Sequence, residues 1–233
     1  MFYGKNMKFK GLNGNALKII AAITMFIDHV GMILFPQETI FRMIGRIAFP
    51  IFAFFIAEGC RYTRNKKKYL GLILCLGSIF QAVFTLATKQ TMLNIFLTFS
   101  LSIILVYFLQ WFKKELQTKK LWGKAVSGIS FLAALFFVYL FTNKITVDYG
   151  FFGVMIPVLV SIFDGLWERK IAFAISIVLL AFSMHTPTQS FCLLAVPILF
   201  LYMGKKGTIK MKYFFYIFYP LHLCILFLLD MIL

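Results

Sequence analysis

Residues 92–112, MLNIFLTFSLSIILVYFLQWF, carry no charged side chain. As a helix rising about 1.5 Å per residue, such a run is about 30 Å long, the thickness of a bilayer's hydrocarbon core. Comparable runs occupy about 16–35, 43–60, 69–87, 92–112, 122–142, 149–166, 170–185, 190–203 and 213–232. The eighth is short and holds Pro197, which fits a tilted or broken span or a re-entrant piece. Only 14% of the 233 residues are charged, so the polar surface is too small to cover a water-soluble globule. The pattern predicts an all-α, polytopic membrane helical bundle of about nine transmembrane helices. The whole chain, 1–233, reads as a single membrane domain. The first run lacks an A-x-A-like exit and is kept as a helix.

The charges between the runs set an orientation. Lys5, Lys8, Lys10 and Lys18 precede or open the first run, and Arg61, Arg64, Lys66, Lys67 and Lys68 fill the second-to-third loop. Lys113, Lys114, Lys119, Lys120 and Lys124, then Arg169 and Lys170, then Lys205, Lys206, Lys210 and Lys212 occupy alternate later loops. Twenty of the 24 basic residues therefore fall on one side, leaving Arg42, Arg46, Lys89 and Lys144 on the other. This positive-inside pattern predicts a cytoplasmic N-terminus and, with nine spans, a C-terminus outside. The net charge of +16 thus reads as a topology signal and an attraction to anionic membrane lipid, with no nucleic acid as partner. Cys60, Cys75, Cys192 and Cys224 lie scattered in apolar runs without CxxC spacing and read as small core hydrophobes. Three His without clustered Cys, Asp or Glu give no metal signature.

Ionisable groups at membrane depth are costly, so each is a functional candidate. In ITMFIDHVGMIL, Asp28 and His29 sit side by side within the first run. Lys18 and His29 are eleven residues apart, close to three turns, and share a helix face with Ala22 and Met25 between them. An extended cofactor could run along that face from a cation to an imidazole. Lys18 also suits a snorkelling interface residue, and His29 a polar link between helices. Asp28 points about 100° away from His29, towards a pairing with Arg42 or Arg46 or towards a catalytic role. Arg42 and Arg46, four apart, face one way and could hold a carboxylate or a phosphate. Pro50 predicts a kink in GRIAFPIFAFFIAEG. Asp148, in DYGFFGV, is either an acidic partner at the far mouth or a helix N-cap. His222, beside Pro220 and one turn from Tyr219, is a cavity-lining residue or an interhelical link.

LKIIAAITMFIDHVGMIL, FRMIGRIAFPIFAFFIAEG, DYGFFGV and YFFYIFYPLHL resemble blocks of the TraX family and span nearly the whole chain. The best-known member of that family is an inner-membrane protein that acetylates pilin N-termini. The resemblance implies a multi-pass protein of the bacterial plasma membrane that performs pilin acetylation or a related transfer. Lys18, ten intervening residues and His29 also resemble the [RK]-x10-H pattern of the wider transmembrane acyltransferase superfamily, in which the helix-one histidine is the catalytic centre.

That likeness implies an acetyltransferase moving an acetyl group from cytoplasmic acetyl-CoA to an acceptor on the far side. The acceptor is an amine, such as a pilin or peptide N-terminus, or a hydroxyl of a glycan. His29 would be general base or nucleophile. Asp28 or Asp148 would orient the imidazole, Arg46 would stabilise the oxyanion or hold the acceptor, and His222 would line the cavity. Lys18, Arg61, Arg64, Lys66 and Lys67 would bind the phosphates of the acyl-CoA. Two other classes remain open. One is a proton-coupled small-molecule transporter with Asp28, His29, Asp148 and His222 as a relay. The other is a non-catalytic membrane assembly factor, for which no cofactor-sized cavity is expected.

Overall fold

The computed structural model describes residues 11–89, 91–184, 186–207 and 212–232, without the side chains of 87, 88 and 212–216. Lys5, Lys8, Lys10, Lys210 and His185, and the side chain of Lys212, therefore lie outside the described residues. Among the described residues the regular elements of the chain are helices. Its elements are α1 (Gly14–Ile33), α2 (Thr39–Gly45), α3 (Ala48–Tyr62), α4 (Lys66–Thr88), α5 (Ile95–Leu116), α6 (Leu121–Lys144), α7 (Gly150–Ile162) and α8 (Leu166–Ser183). A 3₁₀ segment (Pro187–Leu194), α9 (Ala195–Phe200) and α10 (Lys212–Asp230) complete it.

The expectation of about nine crossing helices is not met. Among the described residues five helical segments are long and apolar enough to cross a membrane: Gly14–Ile33, Thr39–Tyr62, Lys66–Leu86, Ile95–Leu116 and Leu121–Lys144. Gly150–Ile162, Pro187–Phe200 and Ile217–Asp230 are apolar but shorter. With the count of nine goes the placement of the C-terminus outside that rested on it. The reasons are local. α7 spans 13 residues, about 20 Å, and ends before Asp164. α8 opens on Glu168, Arg169 and Lys170. The eighth run is split between a 3₁₀ segment that opens at Pro187 and a six-residue helix whose first turn holds Pro197.

The Thr39–Tyr62 segment is interrupted at Arg46–Ile47, between α2 and α3. Pro50 explains the position, because a proline ring collides with the carbonyl four residues earlier, here that of Arg46. Pro50 itself sits in the first turn of α3, where its missing N–H leaves no bond unmade. α1 begins where Asn13 accepts a 2.9 Å bond from the Ala16 N–H.

The core is built from α3, α5, α7, α8 and α9, through fully buried Ile51, Phe54, Ile103, Ile156, Phe173 and Leu199. α4 and α6 reach it through Ile73 and Val138 and otherwise expose Ile79, Val83, Leu132 and Phe136, an apolar face suited to lipid. Cys60 and Cys192 are buried, whereas Cys75 and Cys224 lie on exposed faces.

The basic loops collect at one end of the bundle. There Asp164 accepts bonds from Arg61 (3.2 Å) and Lys113 (3.0 Å), and Gly14 N–H donates to the Lys205 carbonyl at 2.9 Å. The Lys113 bond first, then both cations, hold the exposed Asp164 carboxyl below its ordinary range. At the opposite end, a bridge between Leu93 and Val147 ties the α4–α5 loop to the α6–α7 loop.

Candidate active site

α1 and α10 bring their histidines together. His29 Nδ1 lies 2.7 Å from His222 Nε2, and His222 Nδ1 lies 2.6 Å from the Phe218 carbonyl oxygen. A carbonyl only accepts, so Nδ1 of His222 carries the proton. With both rings neutral, His222 Nε2 is then an acceptor and His29 Nδ1 the donor. That leaves Nε2 of His29 with a free lone pair. His222 is buried, and the Tyr219 ring packs edge-on against both imidazoles at 6.0 and 5.7 Å.

Asp28 does not orient His29. Its Oδ2 accepts a 2.5 Å bond from Arg42 Nη1, so Arg42 is its hydrogen-bonding partner in the structure. α1 and α2 approach closely enough for this because of two glycines. A Cβ on Gly45 would lie 2.1 Å from Asp28 Oδ1, and one on Gly31 would lie 2.2 Å from Phe41 Cβ. Asp28 Oδ1 and Arg46 Nε are both buried without a hydrogen-bond partner.

Arg46 reaches Tyr149 instead, its Nη1 donating to the phenolic oxygen at 3.4 Å. Tyr149 stacks on Phe49 with ring centroids 3.7 Å apart. Its φ of 60° is a left-handed conformation uncommon outside glycine. The surrounding loop holds it there. Asp148 N–H donates to the Leu93 carbonyl, and Thr98 Oγ1 donates to the Asp148 carbonyl, both at 2.9 Å. Tyr149, not Asp148, is the N-cap of α7, and it provides no side-chain cap.

A cavity of about 730 Å³ joins these groups to the basic end. Asp28, His29, Asp148, Tyr149 and Tyr219 line its inner part, Met25 its middle, and Lys18, Tyr62 and Lys206 its mouth. Arg46 and His222 are absent from the wall and stand behind Tyr149 and His29. Arg61, Arg64, Lys66 and Lys67 are also off the wall. Arg61 is paired with Asp164, and Lys66 lies over the Tyr107 ring at 5.1 Å. Glu58, which lines the cavity, is bonded to Arg169 and to Tyr202.

Two wall residues escape a reading of the sequence. Tyr149 stands in the DYGFFGV block beside Asp148, and that adjacency is the signal that could have found it. Lys206 reads as one more topological lysine, and only folding brings it to the mouth.

Comparison with known proteins supplies the family. The protein-family model described as "TraX protein" matches residues 13–230. An uncharacterised protein of Rickettsia prowazekii is 39% identical over 93 residues, covering 40% of this chain and 36% of that protein. The probable fimbrial assembly protein FimC, serogroup H1, of Dichelobacter nodosus is 29% identical over 239 residues, covering 90% of this chain and 92% of that protein. The chain thus spans about a third of the first relative and nearly all of the second. No solved structure matches. A match over nearly the whole chain, on a multi-pass helical membrane protein, places it in the TraX family, an acyltransferase-type family of the plasma membrane.

Proposed function

We propose that the chain is a membrane acetyltransferase, taking an acetyl group from acetyl-CoA at the basic end and passing it to an acceptor at the opposite end. The observation that carries this reading is the cavity running from Lys18 to His29, with His29 Nε2 bare at its inner part. The two residues are about 16 Å apart along α1, a distance suited to an extended thioester arm. The positive-inside rule puts the basic end in the cytoplasm, where acyl-CoA is available. A cavity of this size speaks against a non-catalytic assembly factor.

In this mechanism His29 Nε2 takes a proton from the attacking nitrogen or oxygen of the acceptor. That atom bonds to the thioester carbonyl carbon, the carbon–sulfur bond breaks, and the thiolate leaves with the proton returned from His29. His222 keeps the proton of His29 on Nδ1, so the working nitrogen stays free. Tyr149, backed by Arg46, offers its hydroxyl as a donor for the carbonyl oxygen as charge develops there. Asp148, on the same wall, favours an acceptor that arrives as a cation, hence an amine. It passes one ammonium proton on to water before attack, which frees the lone pair and leaves the second proton for His29. The likeness to a probable fimbrial assembly protein supports a fimbrial subunit as the source of that amine.

The test is turnover of acetyl-CoA by the purified protein in nanodiscs, wild type against His29→Ala. Release of free CoA that disappears in the variant supports the reading. Equal release from both removes His29 from the chemistry, and no binding of acetyl-CoA at millimolar concentration removes the reading altogether.

A further inference from the structure

We propose that Lys206, together with Lys18 and the ring of Tyr62, forms a nucleotide-diphosphate site at the mouth of the cavity. The inference rests on the acyl-CoA reading and identifies which residues hold the nucleotide end of the donor. Both lysines line the cavity that reaches His29. Lys206 Nζ stands 4.9 Å from the Tyr62 ring centroid, and Lys18 Nζ stands 4.8 Å from that of Phe55.

Glu58, on the same wall, has its carboxylate bonded by Arg169 and Tyr202. Two ammonium groups that share a low-dielectric cavity repel one another, and a diphosphate between them would replace that repulsion with attraction. Tyr62 is 50% exposed, which leaves a ring face open for a purine to stack on.

Backbone geometry holds Lys206 in position. Gly14 N–H donates to the Lys205 carbonyl at 2.9 Å, which ties the segment to the first turn of α1. A Cβ on Gly207 would lie 2.3 Å from Asn15 Cγ, so the chain there lies directly on α1. Gly204, at φ +71°, makes the turn that brings the segment over the mouth. The cations of the more conspicuous RYTRNKKK stretch do not line the cavity, although its Tyr62 does. Arg61 is paired with Asp164, Lys66 lies over the Tyr107 ring, and Arg64 and Lys67 are absent from the wall.

The experiment is calorimetric binding of CoA and of pantetheine, which lacks the nucleotide, to the full chain in nanodiscs. The variants are Lys206→Gln, Lys206→Arg, Tyr62→Leu and the double change Arg64→Gln/Lys67→Gln. Loss of a charge-assisted phosphate contact predicts CoA affinity lower by about tenfold or more in Lys206→Gln, with pantetheine binding unchanged. Lys206→Arg retains CoA, Tyr62→Leu weakens it independently, and the double change leaves it within about twofold.

CoA binding equal in wild type, Lys206→Gln and Tyr62→Leu overturns this site while leaving the acyl-CoA reading intact. Loss confined to the double change transfers the site to the 64–67 loop. No CoA binding by the wild type defeats the acyl-CoA reading itself. Nanodiscs with and without anionic lipid separate the two sources of phosphate. A CoA loss in Lys206→Gln that vanishes in neutral lipid assigns Lys206 to headgroups and overturns the proposal.

Discussion

His29 and His222, 193 residues apart in sequence, meet nitrogen to nitrogen at 2.7 Å. The contact ties α1 to α10 and fixes which nitrogen of His29 faces the cavity. His222→Phe removes the acceptor and frees the His29 ring to choose its tautomer. The expected result is a kcat lower by about 10²-fold or more at an unchanged KM for acetyl-CoA. His222→Gln, whose amide oxygen can still accept from Nδ1, recovers part of the loss. A raised KM with normal kcat in either variant would place His222 in substrate binding instead.

Gly45→Ala tests the packing of α1 on α2. The added methyl would stand 2.1 Å from Asp28 Oδ1, so helix or carboxylate must move. Overpacking of this kind costs about 1–3 kcal/mol, read as a lower unfolding temperature in detergent. Gly71→Ala is the matched control, since a Cβ there meets nothing within 4 Å. It is expected to be neutral or stabilising by up to about 1 kcal/mol.

Glu58 and Arg169 form a buried pair linking α3 to α8, with side chains 8% and 6% exposed. Removing one partner strands the other charge. Glu58→Gln and Arg169→Met are each expected to destabilise by about 3–5 kcal/mol, and the double change by less than their sum. A strictly additive double-mutant cycle would show that the two groups do not interact.

Asp164 gives a pH-dependent prediction. Because its carboxyl is held below its ordinary value by Lys113 and Arg61, the cross-link is fully present above the usual carboxylate range. It is lost only as the pH falls through the lowered value. Asp164→Asn is therefore expected to lower stability slightly at pH 7, by no more than about 1 kcal/mol for so exposed a pair, read as a small drop in unfolding temperature. The difference should disappear in strong acid. A difference that grows on acidification would contradict the pairing.

The helical, membrane-spanning character of the chain is written in its hydropathy, because lipid permits little else. Span number is less legible. The stretches after Asp148 are apolar enough to suggest crossing, yet α7 stops at Ile162, α8 carries Glu168–Lys170 at its start, and the eighth run is split between a 3₁₀ segment and the short α9 that holds Pro197. Within the site, the shared face of Lys18 and His29 follows from helical period alone, and the structure lines one cavity with both. The pairing of His29 with His222 does not follow from any spacing, since it depends on α10 docking against α1. A run such as RYTRNKKK attracts attention by its charge density. Density does not reveal that Asp164 engages Arg61, or that a single lysine in the 204–207 turn faces the cavity.

The stack of Tyr149 on Phe49, and of Phe49 on Phe99 at 5.6 Å, has an electrical consequence. The cavity carries polar groups from the basic end to Asp28 and Asp148, across much of the bilayer's insulating thickness. An open water file along that path would short-circuit the membrane potential. Three apposed rings on the cavity wall beside Asp148 are placed to act as a dielectric plug. The protein is thus expected to be ion-tight at rest. Swapping Tyr149 for a small residue should be read first as proton leak in energised vesicles, before any enzymatic effect is sought.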